Sequence, residues 1–284
     1  MSWLDVSLIT GAVALLAIVF WGHTASRRVA IVMAVVAVGI AAQTVVRVAR
    51  DSLRSDARSP SGLAILGDSD EIPDVGPLPE SSGISDTVRR RVAQSIVKVT
   101  GRACGQRVNG TGWIVANGLV ATNAHVVAGM VAPAVIDSRD ANHDAVIVAF
   151  DPVLDVALLR TPQIGAPLEL HDGPQAGIFG IFGHPHGRPL RVAPARLELT
   201  GSIDGAGPNI YGTGSYQRPV MVLATKLAPG DSGSPVVDRE GAVVGMTFAI
   251  DPDGAAIGYA LDASALTRTL AVATDRPVAV PACL

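Results

Sequence analysis

Cysteine is nearly absent from this chain: Cys104 and Cys283 are the only two in 284 residues. A pair so far apart, with no further ligands at hand, is not a metal site. Lysine is almost as scarce, with Lys98 and Lys226 alone, so arginine carries the basic charge. That bias reads as the codon usage of a GC-rich genome rather than as function. The net charge of -3 gives no electrostatic case for binding nucleic acid. No histidine follows His186, and no lysine or arginine lies within Met1 to Val6. Each of these last two absences decides a question below.

Against the scarcity of charge stands a local excess of apolar residues. Leu4 to Trp21 is apolar except for Asp5, Ser7 and Thr10, and Val29 to Val46 except for Gln43 and Thr44. Each approaches the lower limit of about 17–25 residues for a membrane-spanning helix. Trp3 and Trp21 bracket the first, where interfacial tryptophans belong. A signal peptide would need a basic region before its apolar core, and there is none. A hairpin of buried core helices is the remaining alternative. The two stretches, split only by Gly22 to Arg28, read best as a transmembrane helical hairpin over residues 1–50.

Arg27 and Arg28 place the connecting loop in the cytoplasm and both termini outside, although Arg47, Arg50, Arg54 and Arg58 argue the other way. Neither segment carries the intramembrane charges of a transport pathway. Residues 51–85 are rich in Asp, Ser, Pro and Gly and read as an extended linker.

A short helix is expected over Asp86 to Ala93, capped by Ser85. Arg89-Arg90-Arg91 is its solvated face, with a self-cleavage site as a minor alternative. Short β-branched runs then alternate with turn residues. They are Ile96–Thr100, Gly112–Ala116, Leu119–Thr122, Ala145–Phe150 and Val156–Arg160, then Gly177–Phe182, Arg191–Leu199, Val220–Thr225, Pro235–Val237, Val243–Ile250 and Ala256–Leu261. Many short strands without long helices indicate an all-β domain, a sandwich or barrels, over residues 86–284. A break near residue 170 divides them into two sets. A C-terminal helix follows from Asp262 to Ala271, capped by Asp262.

Three residues of this domain have the chemistry of an activated nucleophile. Ser232 lies in Pro229-Gly230-Asp231-Ser232-Gly233-Ser234-Pro235, His125 in Ala121-Thr122-Asn123-Ala124-His125-Val126-Val127, and Asp155 opens Asp155-Val156-Ala157-Leu158-Leu159. A serine hydroxyl needs a base within hydrogen-bond reach, and the base needs a buried carboxylate to hold its tautomer. A nucleophile elbow, G-x-S-x-G followed by acid and then histidine, is excluded: position 234 is Ser234 and no histidine follows Ser232. Asp151 competes with Asp155, but it precedes Pro152 and reads as a turn residue. Asp155 begins an apolar strand, where a carboxylate needs a partner.

These motifs, with Gly110-Thr111-Gly112-Trp113, resemble those of the trypsin-like, HtrA-related serine proteases. Gly183-His184-Pro185, Ala193-Pro194-Ala195-Arg196 and the apolar N-terminus resemble most the MarP-like membrane-anchored proteases of actinobacteria. Ser234 departs from the pattern, which has glycine there more often. The resemblance implies two six-stranded antiparallel β-barrels with the site between them, His125 as base, Asp155 as its partner and Ser232 as nucleophile. The amides of Gly230 and Ser232 would form the oxyanion hole. It implies no cofactor and no metal; His184 and His186 stand as loop residues. It further implies an extracytoplasmic endopeptidase on protein or peptide substrates, held at the lipid bilayer and serving envelope stress, with Cys104 paired to Cys283. A non-catalytic binding module on the same anchor is the alternative. For the substrate pocket, Phe248, Ala249, Ile250 and Tyr259 are the expected walls. Lys226, six residues before Ser232, could instead form a floor favouring an acidic side chain.

Overall fold

The computed structural model describes residues 75–171, 173, 176–209, 212–251 and 254–280. The spans expected at 4–21 and 29–46, most of the linker, and Cys283 lie outside these residues. Among the described residues, no helix is long and apolar enough to cross a membrane. The described part of the linker is seated rather than free. Val75 and Ile84 are buried, and Arg196 donates to the carbonyls of Val75 and Pro77.

Helix α1 (Asp86–Ala93) has the expected bounds and cap: Ser85 Oγ accepts from Val88 N at 3.3 Å. Asp86 sits at its positive end and Arg90 and Arg91 at its negative end, as the helix dipole favours.

The first sheet comprises β1 (Ile96–Ala103), β2 (Gln106–Ala116), β3 (Leu119–Thr122), β4 (Ala134–Ile136), β5 (Asn142–Asp144), β6 (Val146–Asp151) and β7 (Val156–Arg160), with helix α2 (Ala124–Val127) after β3. Its seven strands run in the order β5-β4-β1-β2-β3-β7-β6. The expected closed six-stranded ladder is therefore not what forms here. β5 and β6 are consecutive in the chain yet lie at opposite edges of the sheet. The single residue between them, Ala145, turns the corner, its N–H held by the Pro133 carbonyl at 3.0 Å. The two edges are joined there by the chain itself and not by a hydrogen-bonded seam. Val97, Val99, Ile114, Val120, Val135 and Leu159 fill its interior.

The second half forms the closed barrel that was expected. It contains β8 (Ile178–Gly183), β9 (Arg191–Asn209), β10 (Gly212–Ala224), β11 (Pro235–Val237), β12 (Val243–Ile250) and β13 (Ile257–Asp262), in the order β10-β13-β12-β11-β8-β9. Helix α3 (Ala263–Ala271) follows, with Asp262 Oδ1 accepting from Ser264 N at 2.8 Å. The chain then returns to the first sheet. Val278 N donates to the Ile147 carbonyl at 2.9 Å, and Arg160 pairs with Asp275 at 2.8 Å. One buried cluster runs through both halves, joining Trp113 and Leu158 to Phe182, Val222, Met246 and Leu261.

Candidate active site

Strand β3 ends at Thr122, and Asn123 turns the chain into the one-turn helix α2, which carries His125. Asp155 stands in the turn between β6 and β7 with φ +58, a left-handed conformation uncommon outside glycine. That turn is held from two sides. Asp151 Oδ1 accepts from Val153 N and Leu154 N at 2.9 and 2.8 Å. Asn123 Nδ2 donates to the Asp155 carbonyl at 2.9 Å. Asp151 is thus a turn residue and Asp155 faces the helix.

The Asp155 carboxylate accepts twice from one residue. Oδ1 takes the His125 backbone N–H at 2.9 Å, and Oδ2 lies 2.7 Å from ring Nδ1. With Nδ1 donating, Nε2 presents its lone pair. Burial works against a charged ring, but the Asp155 carboxylate more than offsets it, so the imidazole titrates above its usual value. Arg218 pulls in the opposite direction. That arginine comes from β10, donates to the carbonyls of Pro152 and Val153, and lies over the Phe248 ring at 5.9 Å. It therefore ties the second barrel to the turn that carries Asp155.

Ser232 lies between β10 and β11, and its backbone is mounted on the first sheet. Thr111 N donates to the Ser232 carbonyl at 2.8 Å, and Thr111 Oγ1 donates to the Gly230 carbonyl at 2.8 Å. Thr111 Oγ1 in turn accepts from His184 N at 2.9 Å. The glycine at 110 explains the closeness of the parts. A Cβ there would lie 2.6 Å from Val126 of α2 and 3.3 Å from the Ser232 carbonyl. The helix bearing His125 and the backbone of Ser232 meet at that one position. Among the described residues, no hydrogen bond joins Ser232 Oγ to His125 in this structure.

Two further struts orient the turn. His186 N holds the Pro229 carbonyl at 2.6 Å, and Thr247 Oγ1 holds the Asp231 carbonyl at 2.6 Å. In a trans peptide the N–H points opposite to the C=O. The amides of Gly230 and Ser232 are therefore turned away from these struts, and neither donates to another described residue.

A cavity of about 220 Å³ adjoins Ser232, lined by Leu227, Ala228, Pro229, Asp231, Thr247, Phe248, Ala249 and Ile250. Phe248, Ala249 and Ile250 were expected there. Lys226 and Tyr259 are not among the lining residues. Lys226 is exposed, as a solvated ammonium prefers, and Tyr259 is buried at 3% exposure. Side chains alternate along β13, and it is Gly258 that faces the Leu227 side chain, so Tyr259 faces the other way. Leu227 was missed as a wall. His184 and His186 lie in the loop after β8, with His184 Nδ1 2.9 Å from the Arg188 carbonyl. Thr111 was read only as part of a motif, and a lone threonine on a strand offers no signal that its hydroxyl bridges two loops.

Comparison with known proteins adds the following. The trypsin-like peptidase domain family matches residues 110–246. The serine protease Rv3671c of Mycobacterium tuberculosis is 32% identical over 213 residues, covering 72% of this chain and 53% of that protein. The chain thus spans about half the length of the relatives it matches in sequence. The crystal structure of the Rv3671c protease in its active form superposes with a TM-score of 0.70 at 31% identity, covering 78% of this chain and 99% of the other. The inactive form of the same protease gives 0.60 at 30% identity, over 70% and 98%.

Proposed function

The chain belongs to the trypsin-like peptidase family, and from that premise we propose that it is a serine endopeptidase acting through Ser232, His125 and Asp155. The observation that carries the reading is the doubly bonded Asp155–His125 pair, docked at Gly110 against the backbone of Ser232.

Ser232 Oγ attacks the carbonyl carbon of the scissile peptide while His125 Nε2 takes its proton. Asp155 holds Nδ1 and stabilises the imidazolium. The oxyanion that forms is met by the amides of Gly230 and Ser232, which the struts at Pro229 and Asp231 leave directed into the cleft. The C–N bond then breaks, and His125 returns the proton to the departing amine. Water, deprotonated by the same nitrogen, cleaves the ester and restores Ser232. The adjoining cavity is of modest volume and lined mainly by apolar side chains, with Asp231 its one charged residue, so it favours a small or medium apolar side chain before the scissile bond, and an acidic one would find no cation there.

The wider setting belongs to the same proposal. The two apolar stretches at 4–21 and 29–46 support a membrane anchor, with the protease outside the cytoplasm on the side of protein substrates in the envelope. Cys104 lies in the β1–β2 turn, and Val278 and Val280 pack against the cluster that contains Ala103. The returning chain thus packs on the same sheet whose β1–β2 turn holds Cys104, which supports a bridge to Cys283. Non-reducing peptide mapping tests the bridge, and two free thiols would remove it. For the activity, Ser232→Ala should abolish fluorophosphonate labelling and lower proteolysis by about 10⁶. Undiminished proteolysis in that variant would end the reading.

A further inference from the structure

Arg218 lies in β10 directly before Pro219, and a residue before proline favours the extended backbone that a strand requires. Only 8% of Arg218 is exposed. A guanidinium keeps its proton, so burial obliges it to find acceptors. It finds two successive carbonyls: Nε donates to that of Val153, and Nη2 to that of Pro152 at 3.2 Å. Its Cζ lies over the Phe248 ring, 5.9 Å from the centroid. Phe248 lines the cavity beside Ser232. One side chain therefore touches both a wall of that cavity and the turn that carries Asp155.

That turn needs holding. Asp155 has φ +58, which a residue other than glycine keeps only where its surroundings fix it. Asn123 Nδ2 holds the Asp155 carbonyl from the first sheet. Asp151 Oδ1 accepts from Val153 N and Leu154 N. Arg218 takes the carbonyls of the same two peptide units, which point the opposite way. Both peptides between Pro152 and Leu154 are thus pinned at each end, the N–H groups by Asp151 and the carbonyls by Arg218. Of these three holds, only Arg218 comes from the second barrel. Asp151 already serves the turn locally, and a neutral donor could reach the carbonyls at lower desolvation cost. The chain instead buries a permanent cation close enough to act on His125 by its charge.

We propose that Arg218 is a positioning residue for the reaction: seated on Phe248, it sets the Pro152–Leu154 peptides so that the Asp155 carboxylate meets His125. Arg218 touches no reacting atom and acts through Asp155. The proposal rests on the reading of Ser232 as nucleophile and His125 as base. Losing the hold lets the turn relax, so the imidazolium loses support in the transition state while the cavity still binds substrate. The damage then falls on kcat and leaves KM little changed. The base reports the same event. Burial lowers the His125 pKa, the Asp155 carboxylate raises it by charge and hydrogen bond, and the Arg218 charge lowers it by less than Asp155 raises it. A loosened Asp155 therefore brings the pKa down, against the smaller rise from removing the cation alone.

The experiment uses the full-length chain in detergent, assayed on a peptide p-nitroanilide with valine before the scissile bond. Arg218→Met still packs on the Phe248 ring and should lower kcat by about 10- to 100-fold. Its pH–rate midpoint should move down toward 6.5. Arg218→Lys keeps the charge but not the planar fork, and should lose only about 3- to 10-fold. Asp155→Asn should cost less in the Arg218→Met background than alone, because both changes act through one contact. Wild-type kcat in Arg218→Met would overturn the proposal. So would a loss of kcat with the midpoint unmoved or raised, or losses that simply multiply in the double variant. If Arg218→Met does not fold, Arg218→Lys decides by the same readings. Ser232→Ala run in parallel keeps the two questions apart. Activity that survives Ser232→Ala sinks the nucleophile itself, whereas Ser232-dependent activity indifferent to Arg218 sinks only the positioning role.

Discussion

His125 and Asp155 form a contact whose charge state governs two quantities in opposite directions. As the proposed base, His125 must be neutral to accept a proton, and the folded protein holds its pKa above 6.5. kcat/KM should therefore rise with pH through a midpoint above 6.5, measured as a pH–rate profile. Stability runs the other way. A histidine whose folded pKa is raised contributes stability that is fully present below the unfolded value and is lost as pH rises through the folded one. The melting temperature should fall across the window in which turnover climbs. Asp155→Asn should remove that fall and lower kcat by about 10⁴.

Thr111 offers a second test at this scale. Thr111→Val keeps the shape but deletes the bonds to the Gly230 carbonyl and the His184 amide, and should destabilise by about 1–3 kcal/mol in denaturant unfolding, with a clear loss of kcat. Residues of this kind mark the limit of sequence reading. The pairing of His125 with Asp155 was legible because both sit in short local patterns, and because a carboxylate opening an apolar strand demands a partner. Thr111, Arg218 and Leu227 were not legible as a group. Their partners lie far along the chain, and nothing local distinguishes them from an ordinary strand threonine, surface arginine or loop leucine.

Elements were legible where apolar alternation was clean. Leu119–Thr122, Val156–Arg160, Pro235–Val237 and Val243–Ile250 form with the expected bounds. The failures have a common cause. β4 and β5 are three residues each, and β5 is Asn142-His143-Asp144, a polar edge with no pattern to read. β9 and β10 run on through a stretch of Gly, Ser, Asp and Pro that reads as loop, yet the two strands pair along Gly201–Asn209 and Gly212–Val220. Backbone pairing extended that hairpin where side-chain propensity would have ended it. The capping residues, by contrast, act locally and were readable. Asp262→Ala should cost about 1 kcal/mol and lower the melting temperature by about 2–4 °C in calorimetry.

At the scale of the whole molecule, His125 and Asp155 come from the first sheet and Ser232 from the second barrel, and several ties cross between them, three of which bear on the site. Thr111 reaches to Gly230 and Ser232, Arg218 to the Pro152–Val153 turn, and residues 274–278 to β6. The last runs in the direction that the expected pairing of Cys104 with Cys283 requires, since that pairing also carries the end of the domain back to its first half. Deleting residues 272–284 removes the bonds to Val148 and Ile147 and the apolar cover of Val278 and Val280. Such a chain should lose turnover and show faster amide exchange in β6 and β7, while the second barrel keeps its protection.

The returning segment also has a consequence in time. A ribosome releases His125 first, then Asp155, then Ser232, and only afterwards the residues that seal β6 against solvent. While residues 274–280 are still in the exit tunnel, the first sheet lacks its last partner and the acid–base pair has no settled mount. A nascent chain is thus a poor enzyme until residues 274–280 have emerged and reached β6.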